Sequence, residues 1–439
     1  MSKRLGLLGV GVLVSIGLLV ACGSNYNSSS DGLFLVGSQG SGVIETFSFN
    51  LNSGHVSPIA NSPNDTAAKT CILKGLPSSL VMDPKGAYAY TIINANSACD
   101  TGTTKSTTGI QVSKVSSDGS VTAGSLVGLN AAGPSQVPVV PNTLAMDSAG
   151  KFLFVANHQT SDSSGVAVSG SISVFTIGSD GNLTEVAGSP FIPASTNSTL
   201  PDIVSVAVTP TVLPANGISG IQNAVCSSPG NTAPTSEFLY AVDTAGDQLF
   251  EFQVDTSSGV LTAMTGPNLL PPFATGVVPV GVAVDPCDRF VYVSNSQSNS
   301  VSAYTICNAV QPAAGCPVAD GSLLPVSKSP FALTGNANGA GPLVVDPFGN
   351  SVYVLGTLSN TISLLRISAV SGSLTVSVTP IATGASPRSI AIRSDDTWLF
   401  VTNYGAATVS QYSITPATGV LDAKPAVTTD NNPWGVAVK

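Results

Sequence analysis

The sequence predicts an all-β chain closed into a seven-bladed β-propeller, with four antiparallel strands to a blade. Three observations carry that prediction. The first is a unit of three phrases that recurs along the chain. Pro279-Val-Gly-Val-Ala-Val-Asp-Pro286 is followed by Arg289-Phe-Val-Tyr-Val-Ser-Asn295 and Ser300-Val-Ser-Ala-Tyr-Thr-Ile306, and the same grammar returns at Pro387–Ile392, Trp398–Asn403 and Thr408–Ile414. Each phrase is a β-branched and aromatic run between turn residues, which is how strands read. A small sheet repeated at this period cannot bury its own faces, so the units must pack into an array. The second is composition: 43% hydrophobic and only 9% charged over 439 residues, with Gly 44 and Pro 30, suits a turn-rich β protein. The third lies at the ends. The repeat enters on a second phrase and leaves on a bare first phrase, Pro433-Trp-Gly-Val-Ala-Val438, which can complete the first blade and close a ring.

Taken in order from the axis outward, the strands of a blade are labelled A to D. Strand A starts near Ser78, Asn142, Val204, Val280, Pro342, Arg388 and Trp434. Strand B reads Leu33–Val36, Tyr88–Tyr90, Phe152–Val155, Phe238–Tyr240, Phe290–Val293, Val352–Val354 and Trp398–Val401. The C–D hairpins turn at Ser53-Gly54, Asp118-Gly119, Asp180-Gly181, Ser258-Gly259, Asp320-Gly321, Ser371-Gly372 and Thr418-Gly419, pairs that supply the positive φ of a tight turn. In this topology the D–A and B–C connections share one face, the top. The A–B and C–D connections share the other.

Residues 1–21 read as a lipoprotein signal peptide. Lys3 and Arg4 form the positive region, Leu5 to Val20 the apolar region, and Leu19-Val20-Ala21-Cys22 resembles a bacterial lipobox. An ordinary secretory leader and a retained N-terminal helix are the alternatives, and the apolar run is short for a membrane span. The resemblance implies a lipid anchor on Cys22, a flexible tether over residues 22–31, and the propeller over residues 32–439. It also implies a bacterial cell-envelope location, the outer membrane being favoured over the inner because Gly23 is not aspartate. Six other cysteines, Cys71, Cys99, Cys226, Cys287, Cys307 and Cys316, suit disulfides in an oxidising compartment. The topology accommodates the pairs 71–99, 226–287 and 307–316 without crossing.

Net charge is -9, and no Lys/Arg stripe appears, which sets nucleic acid aside as a partner. No phosphate-binding loop, nucleophile elbow, metal-ligand spacing or calcium ladder appears, so neither a metal nor a cofactor is expected. The chain is expected to be monomeric.

The endings Val-Tyr-Val-Ser-Asn295, Phe-Val-Thr-Asn403 and Phe-Val-Ala-Asn157 resemble the Tyr-Val-Thr-Asn repeat propellers. The blade grammar over residues 32–439 is similar to that of lactonase-type propellers, which include bacterial 6-phosphogluconolactonases. That resemblance implies arginine and histidine at the start of strand A and glutamate after the strand-B Asn. Here the arginine position is filled once, by Arg388, and the histidine position never; Ala95, His158, Ser296 and Tyr404 follow the Asn residues. The resemblance specifies fold more strongly than activity.

The candidate site is therefore assembled from what remains on the top face: Asn94, Asn157, His158, Asp243, Asn295, Arg388 and Asn403. Arg388 is suited to an anionic ligand, or to pairing with a neighbouring carbonyl or carboxylate. His158 has no partner legible in the sequence and would be unsupported as a general base. The Asn residues read either as a polar ring or as turn closures. Three insertions, Ala95–Thr108, Thr122–Pro141 and His158–Gly170, elaborate the top of blades 2 and 3, where loops on a rigid scaffold carry function. The expectation is a non-catalytic binding module for an envelope protein, glycan or small ligand. The alternative is a lactonase-type hydrolase with a rearranged site around Arg388 and His158.

Overall fold

The computed structural model describes residues 31–59, 73, 75–96, 107–129, 139–161, 164–194, 199–210, 236–264, 272–308, 316, 321–377, 379–416 and 418–439. They form seven antiparallel sheets and one two-stranded ribbon, and no helix occurs among them. Strand A is Pro433–Val438 in blade 1, then Leu76–Met82, Val140–Met146, Ile203–Val208, Pro279–Val284, Ala340–Val345 and Pro387–Ile392. Strand B is Asp31–Ser38, Tyr88–Asn94, Phe152–His158, Glu237–Asp243, Phe290–Asn295, Ser351–Gly356 and Trp398–Asn403. The seven A strands touch one another in sequence and the seventh returns to the first, so the ring is closed.

Closure is made by the predicted leftover strand. Phe34 pairs with Val438, Leu35 with Ala437 and Val36 with Val436. Five rings cement that joint: Phe34 stacks on Phe47 and on Phe400, while Phe49 meets Trp398 and Phe400 edge-on. Such pairs add to plain area burial. The same logic runs round the molecule. Buried side chains gather in seven clusters, one at each interface between blades, because a β-sheet face hides its apolar residues only against its neighbour.

All seven predicted hairpin glycines have positive φ, between 65° and 87°. Five of them (Gly54, Gly181, Gly259, Gly321 and Gly372) lie against the aromatic ring that opens strand B of the preceding blade, where a Cβ would collide. The turn glycine therefore serves the hairpin and the packing between blades together.

The four-stranded blades carry an elaboration, and one expectation needs correction. The outer strand is continuous in blade 2 (Val121–Gly128) and blade 7 (Val420–Thr428), but it breaks in blades 4, 5 and 6. There a second short segment, Phe273–Ala274, Phe331–Ala332 or Ile381–Ala382, rejoins strand C. In blade 5 the gap is filled by Ser329, whose hydroxyl accepts the Ala303 N–H at 2.9 Å. The supposed connection Thr122–Pro141 is strand D of blade 2 as far as Gly128, hydrogen-bonded to Gly109–Val115. The Cys307–Cys316 disulfide is present, with Cα atoms 5.4 Å apart. Cys287 is fully buried and disulfide-bonded. Cys22, Cys71, Cys99 and Cys226 lie outside the described residues.

Candidate functional site

The top of the channel is shaped by a repeated irregularity. In every A strand the pairing to strand B slips near its start: between Pro77 and Leu80, Pro141 and Thr143, Ile203 and Ser205, Pro279 and Gly281, Ala340 and Leu343, and Pro387 and Ser389. In blade 1 the skipped residue is Trp434. A bulge drops its extra residue from the ladder and re-aims the side chain. Arg388 and Trp434 are thus bulge residues of adjacent blades, and Arg388 is the charged member of this collar.

Arg388 is exposed, and its guanidinium lies over two rings, 4.9 Å from the Trp434 centroid and 5.4 Å from that of Tyr404. The rings are perpendicular to each other at 5.6 Å. Among the described residues, no carbonyl or carboxylate pairs with this arginine. The rim pairing weighed from the sequence is replaced by cation–π support from two aromatic faces.

The strand-B termini turn inward. Asn157, Asn295 and Asn403 are fully buried. Asn295 Nδ2 donates to Ser300 Oγ at 3.2 Å and Ser302 Oγ at 3.0 Å, and its Oδ1 accepts the Gly276 N–H at 3.1 Å. Asn403 does the same with Thr408 at 3.1 Å, Ser410 at 2.9 Å and the Thr383 hydroxyl at 2.9 Å. Asn157 donates to Ser171 at 3.2 Å and Ser173 at 3.0 Å. These amides fasten strand B to strand C at the top corner. Asn94 is half-buried and donates to Ser78 Oγ at 3.2 Å.

His158 is not alone. Its Nδ1 lies 2.9 Å from Oδ1 of Asp202, in the connection from blade 3 to blade 4, and the imidazole is 36% exposed. Asp202 is itself held on several sides. Its Oδ1 accepts the Gln159 N–H at 2.7 Å, its own N–H donates to Asp243 Oδ1 at 2.8 Å, and its carbonyl accepts the Thr244 N–H at 3.0 Å. Burial works to raise the Asp202 carboxyl, but the hydrogen bonds from His158 and Gln159 outweigh it and hold the group below its usual range. Asp243, fully buried, also accepts from Gln248 Nε2 at 2.6 Å and from the Ala245 N–H at 3.1 Å, so it positions Asp202. Beyond His158 the predicted insertion carries a short ribbon, Thr160–Ser161 against Ala167–Val168.

The arrangement does not bring His158 and Arg388 together: they sit on blades 3 and 7, three blades apart round the ring. Sequence reasoning found both but missed Asp202, Tyr404 as an aromatic platform, and Trp434. Among the described residues no cluster of His, Cys, Asp and Glu could hold a metal ion.

Residues 229–438 match the family described as Lactonase, 7-bladed beta-propeller. The chain folds as a seven-bladed propeller, and the matched residues form its C-terminal part. It is similar in structure to a candidate 6-phosphogluconolactonase of Bacteroides uniformis, at 20% identity over 93% of this chain and 100% of that one, TM-score 0.64. The periplasmic gluconolactonase of Pseudomonas aeruginosa is comparably similar, at 19% identity over 93% and 99%, TM-score 0.63. So is a protein from Lactobacillus plantarum, at 16% identity over 93% and 99%, TM-score 0.64. Likeness at these identities speaks for the fold. No curated protein sequence matches the chain.

Proposed function

We propose that the protein is a lactone hydrolase working from its top face, with His158 as general base and Asp202 as its positioning carboxylate. The observation that carries this reading is the 2.9 Å contact between His158 Nδ1 and Asp202 Oδ1. A carboxylate kept ionised accepts the Nδ1 proton and leaves Nε2 as the basic nitrogen. Nε2 takes a proton from water, the hydroxide adds to the lactone carbonyl, and the ring C–O bond breaks. The leaving alkoxide then recovers the proton from the imidazolium, giving the open hydroxy acid.

The family match and the likeness to a gluconolactonase support hydrolysis over a purely non-catalytic role. That relative is periplasmic by description, which suits the envelope location and the Cys22 anchor we propose for this chain.

The test is turnover on a lactone panel that includes gluconolactone and 6-phosphogluconolactone, comparing the wild type with His158→Gln. Hydrolysis above background that disappears in the variant supports the reading. A folded wild type that turns over none of the panel returns the protein to the non-catalytic binding role.

A further inference from the structure

We infer that the substrate of the His158–Asp202 pair is an uncharged lactone bearing an alkyl chain, and that Val140, Val166, Ile192 and Leu200 form the apolar patch that receives the chain. The inference rests on the hydrolase reading above and names the substrate class of that same site.

The patch is local. Among the described residues seven large apolar side chains are exposed, and four of them belong to the top of blade 3 and its connection to blade 4: Val140 at 42%, Val166 at 60%, Ile192 at 43% and Leu200 at 37%. The other three are scattered. Val277 precedes strand A of blade 5, and Leu358 and Val370 lie at opposite ends of blade 6. Single exposed apolar residues are ordinary, whereas a gathered group marks a binding surface.

Each element sets its residue beside the pair. Val140 is the cross-strand partner of His158, so the two side chains rise from one face of the sheet with Cβ atoms about 5 Å apart. Leu200 stands two residues before Asp202. The Pro201 carbonyl between them accepts the Gly170 N–H at 2.7 Å, which ties this connection to the end of the ribbon strand that follows Val166. Ile192 follows Phe191, which pairs with Ile172; Ile172 pairs in turn with Ala156, two residues before His158. In the split outer strands of blades 4, 5 and 6 the corresponding residue is alanine: Ala274, Ala332 and Ala382. The blade that carries the histidine is the one enlarged at that place.

Charge narrows the substrate further. From Phe152 to Asp288, a stretch that supplies strands B to D of blade 3 and all of blade 4, the sequence has no lysine or arginine. A phosphorylated sugar lactone would set its dianion near the Asp202 carboxylate with no cation of these blades to receive it, and like charges side by side are penalised. An unphosphorylated sugar lactone escapes that cost but turns hydroxyls towards branched aliphatic side chains. An alkyl chain buries methylenes there, each worth roughly fourfold in affinity when fully covered.

The test uses lactones of one ring size: δ-valerolactone, δ-octanolactone, δ-decanolactone, D-glucono-δ-lactone and its 6-phosphate, each rate taken over its own background hydrolysis. Expected is a kcat/KM that rises about twofold or more per methylene from δ-valerolactone to δ-decanolactone, chiefly through KM, with the 6-phosphate the poorest substrate. Ile192→Ala installs the residue that the other split blades carry. It should lower the ratio of kcat/KM for δ-decanolactone to that for δ-valerolactone by about fivefold. Val140→Thr, which keeps the branched shape and adds a hydroxyl, should lower the same ratio. Val370→Ser, in the bottom hairpin of blade 6, should keep the wild-type profile. A wild type that turns over lactones without favouring the longer chains, or that favours the 6-phosphate, overturns the inference and leaves hydrolysis by His158 standing. So does a chain-length profile that survives both Ile192→Ala and Val140→Thr in proteins of wild-type unfolding midpoint. No turnover of any of the five overturns the hydrolase reading, and the inference with it.

Discussion

The phenolic hydroxyl of Tyr292, in strand B of blade 5, donates at 3.1 Å to the main-chain carbonyl of Gly372, in the C–D hairpin of blade 6. The tie recurs as Tyr90 to Gly181 at 3.0 Å, Tyr240 to Gly321 at 3.1 Å and Tyr353 to Gly419 at 2.8 Å. It joins each of these blades to the glycine whose positive φ makes the next hairpin. Removing the hydroxyl leaves a carbonyl without its partner and keeps the ring packing, so Tyr292→Phe should cost about 1–3 kcal/mol. Gly372→Ala should cost at least as much, because it adds αL strain of about 1–3 kcal/mol and drives a methyl into Phe290. Urea midpoints of the two variants check both.

A second tie lies at the bottom of blade 5, where Arg289 is 1% exposed. It grips Asp285 through Nε at 2.7 Å and Nη2 at 2.8 Å, and reaches the Gly349 carbonyl of blade 6 at 2.9 Å. Breaking a buried pair strands the remaining charge, so Arg289→Met should destabilise by about 3–5 kcal/mol. Asp285→Asn on top of Arg289→Met removes that stranded charge and should recover part of the loss. A double-mutant cycle in urea measures the coupling; strict additivity would contradict it.

Other buried acids have no cation in hydrogen-bond contact and give the fold a pH dependence. Burial, reinforced by the Asp346 charge and opposed by Arg366, pushes the Asp396 carboxyl up to about 8. Asp288 reaches about 8 through burial and the Asp285 charge, and Glu237 about 8 through burial and Asp147. Unfolding returns each to the usual carboxylate range, about 4. The folded state therefore binds these protons more tightly. Their contribution is fully present below about pH 4 and is lost as pH rises through about 8. Stability should fall between pH 6 and 9. Asp396→Asn, an isostere that tolerates the φ of 57° there, should flatten part of that slope and be more stable than the wild type at pH 9. Denaturation midpoints across that range decide it.

What the sequence revealed and what it hid divide along a physical line. Strands such as Phe290–Asn295 and turns such as Ser371-Gly372 are written in contiguous residues, and ring closure followed from the bare phrase at Pro433. The split outer strands escaped because a serine side chain, as at Ser329, substitutes for part of the ladder. Val121–Gly128 escaped because Gly124 and Gly128 blur its pattern. The site was half legible. Arg388 stood out as a charge in an apolar phrase, but its platform is built from Tyr404 and from Trp434 of the next blade, which only the closed ring brings together. Asp202 carries no local signal: it reaches His158 because the connection after blade 3 folds back over the end of strand B.

The pairing of His158 with Asp202 gives the sharpest prediction for activity. If Asp202 keeps the imidazole oriented, Asp202→Asn should lower kcat for lactone hydrolysis by about 100-fold or more, the scale of a general-base contribution, with little change in KM. Asp243→Asn acts one step further out, since Asp243 holds the Asp202 N–H and touches neither His158 nor solvent. Its kcat should fall between those of the wild type and Asp202→Asn, and the double variant should be no worse than Asp202→Asn alone, because both act through the same imidazole. Steady-state kinetics on any lactone the wild type hydrolyses make the comparison. A wild-type kcat in Asp202→Asn would remove His158 from the chemistry, since without its carboxylate the imidazole has no other group among the described residues to orient it.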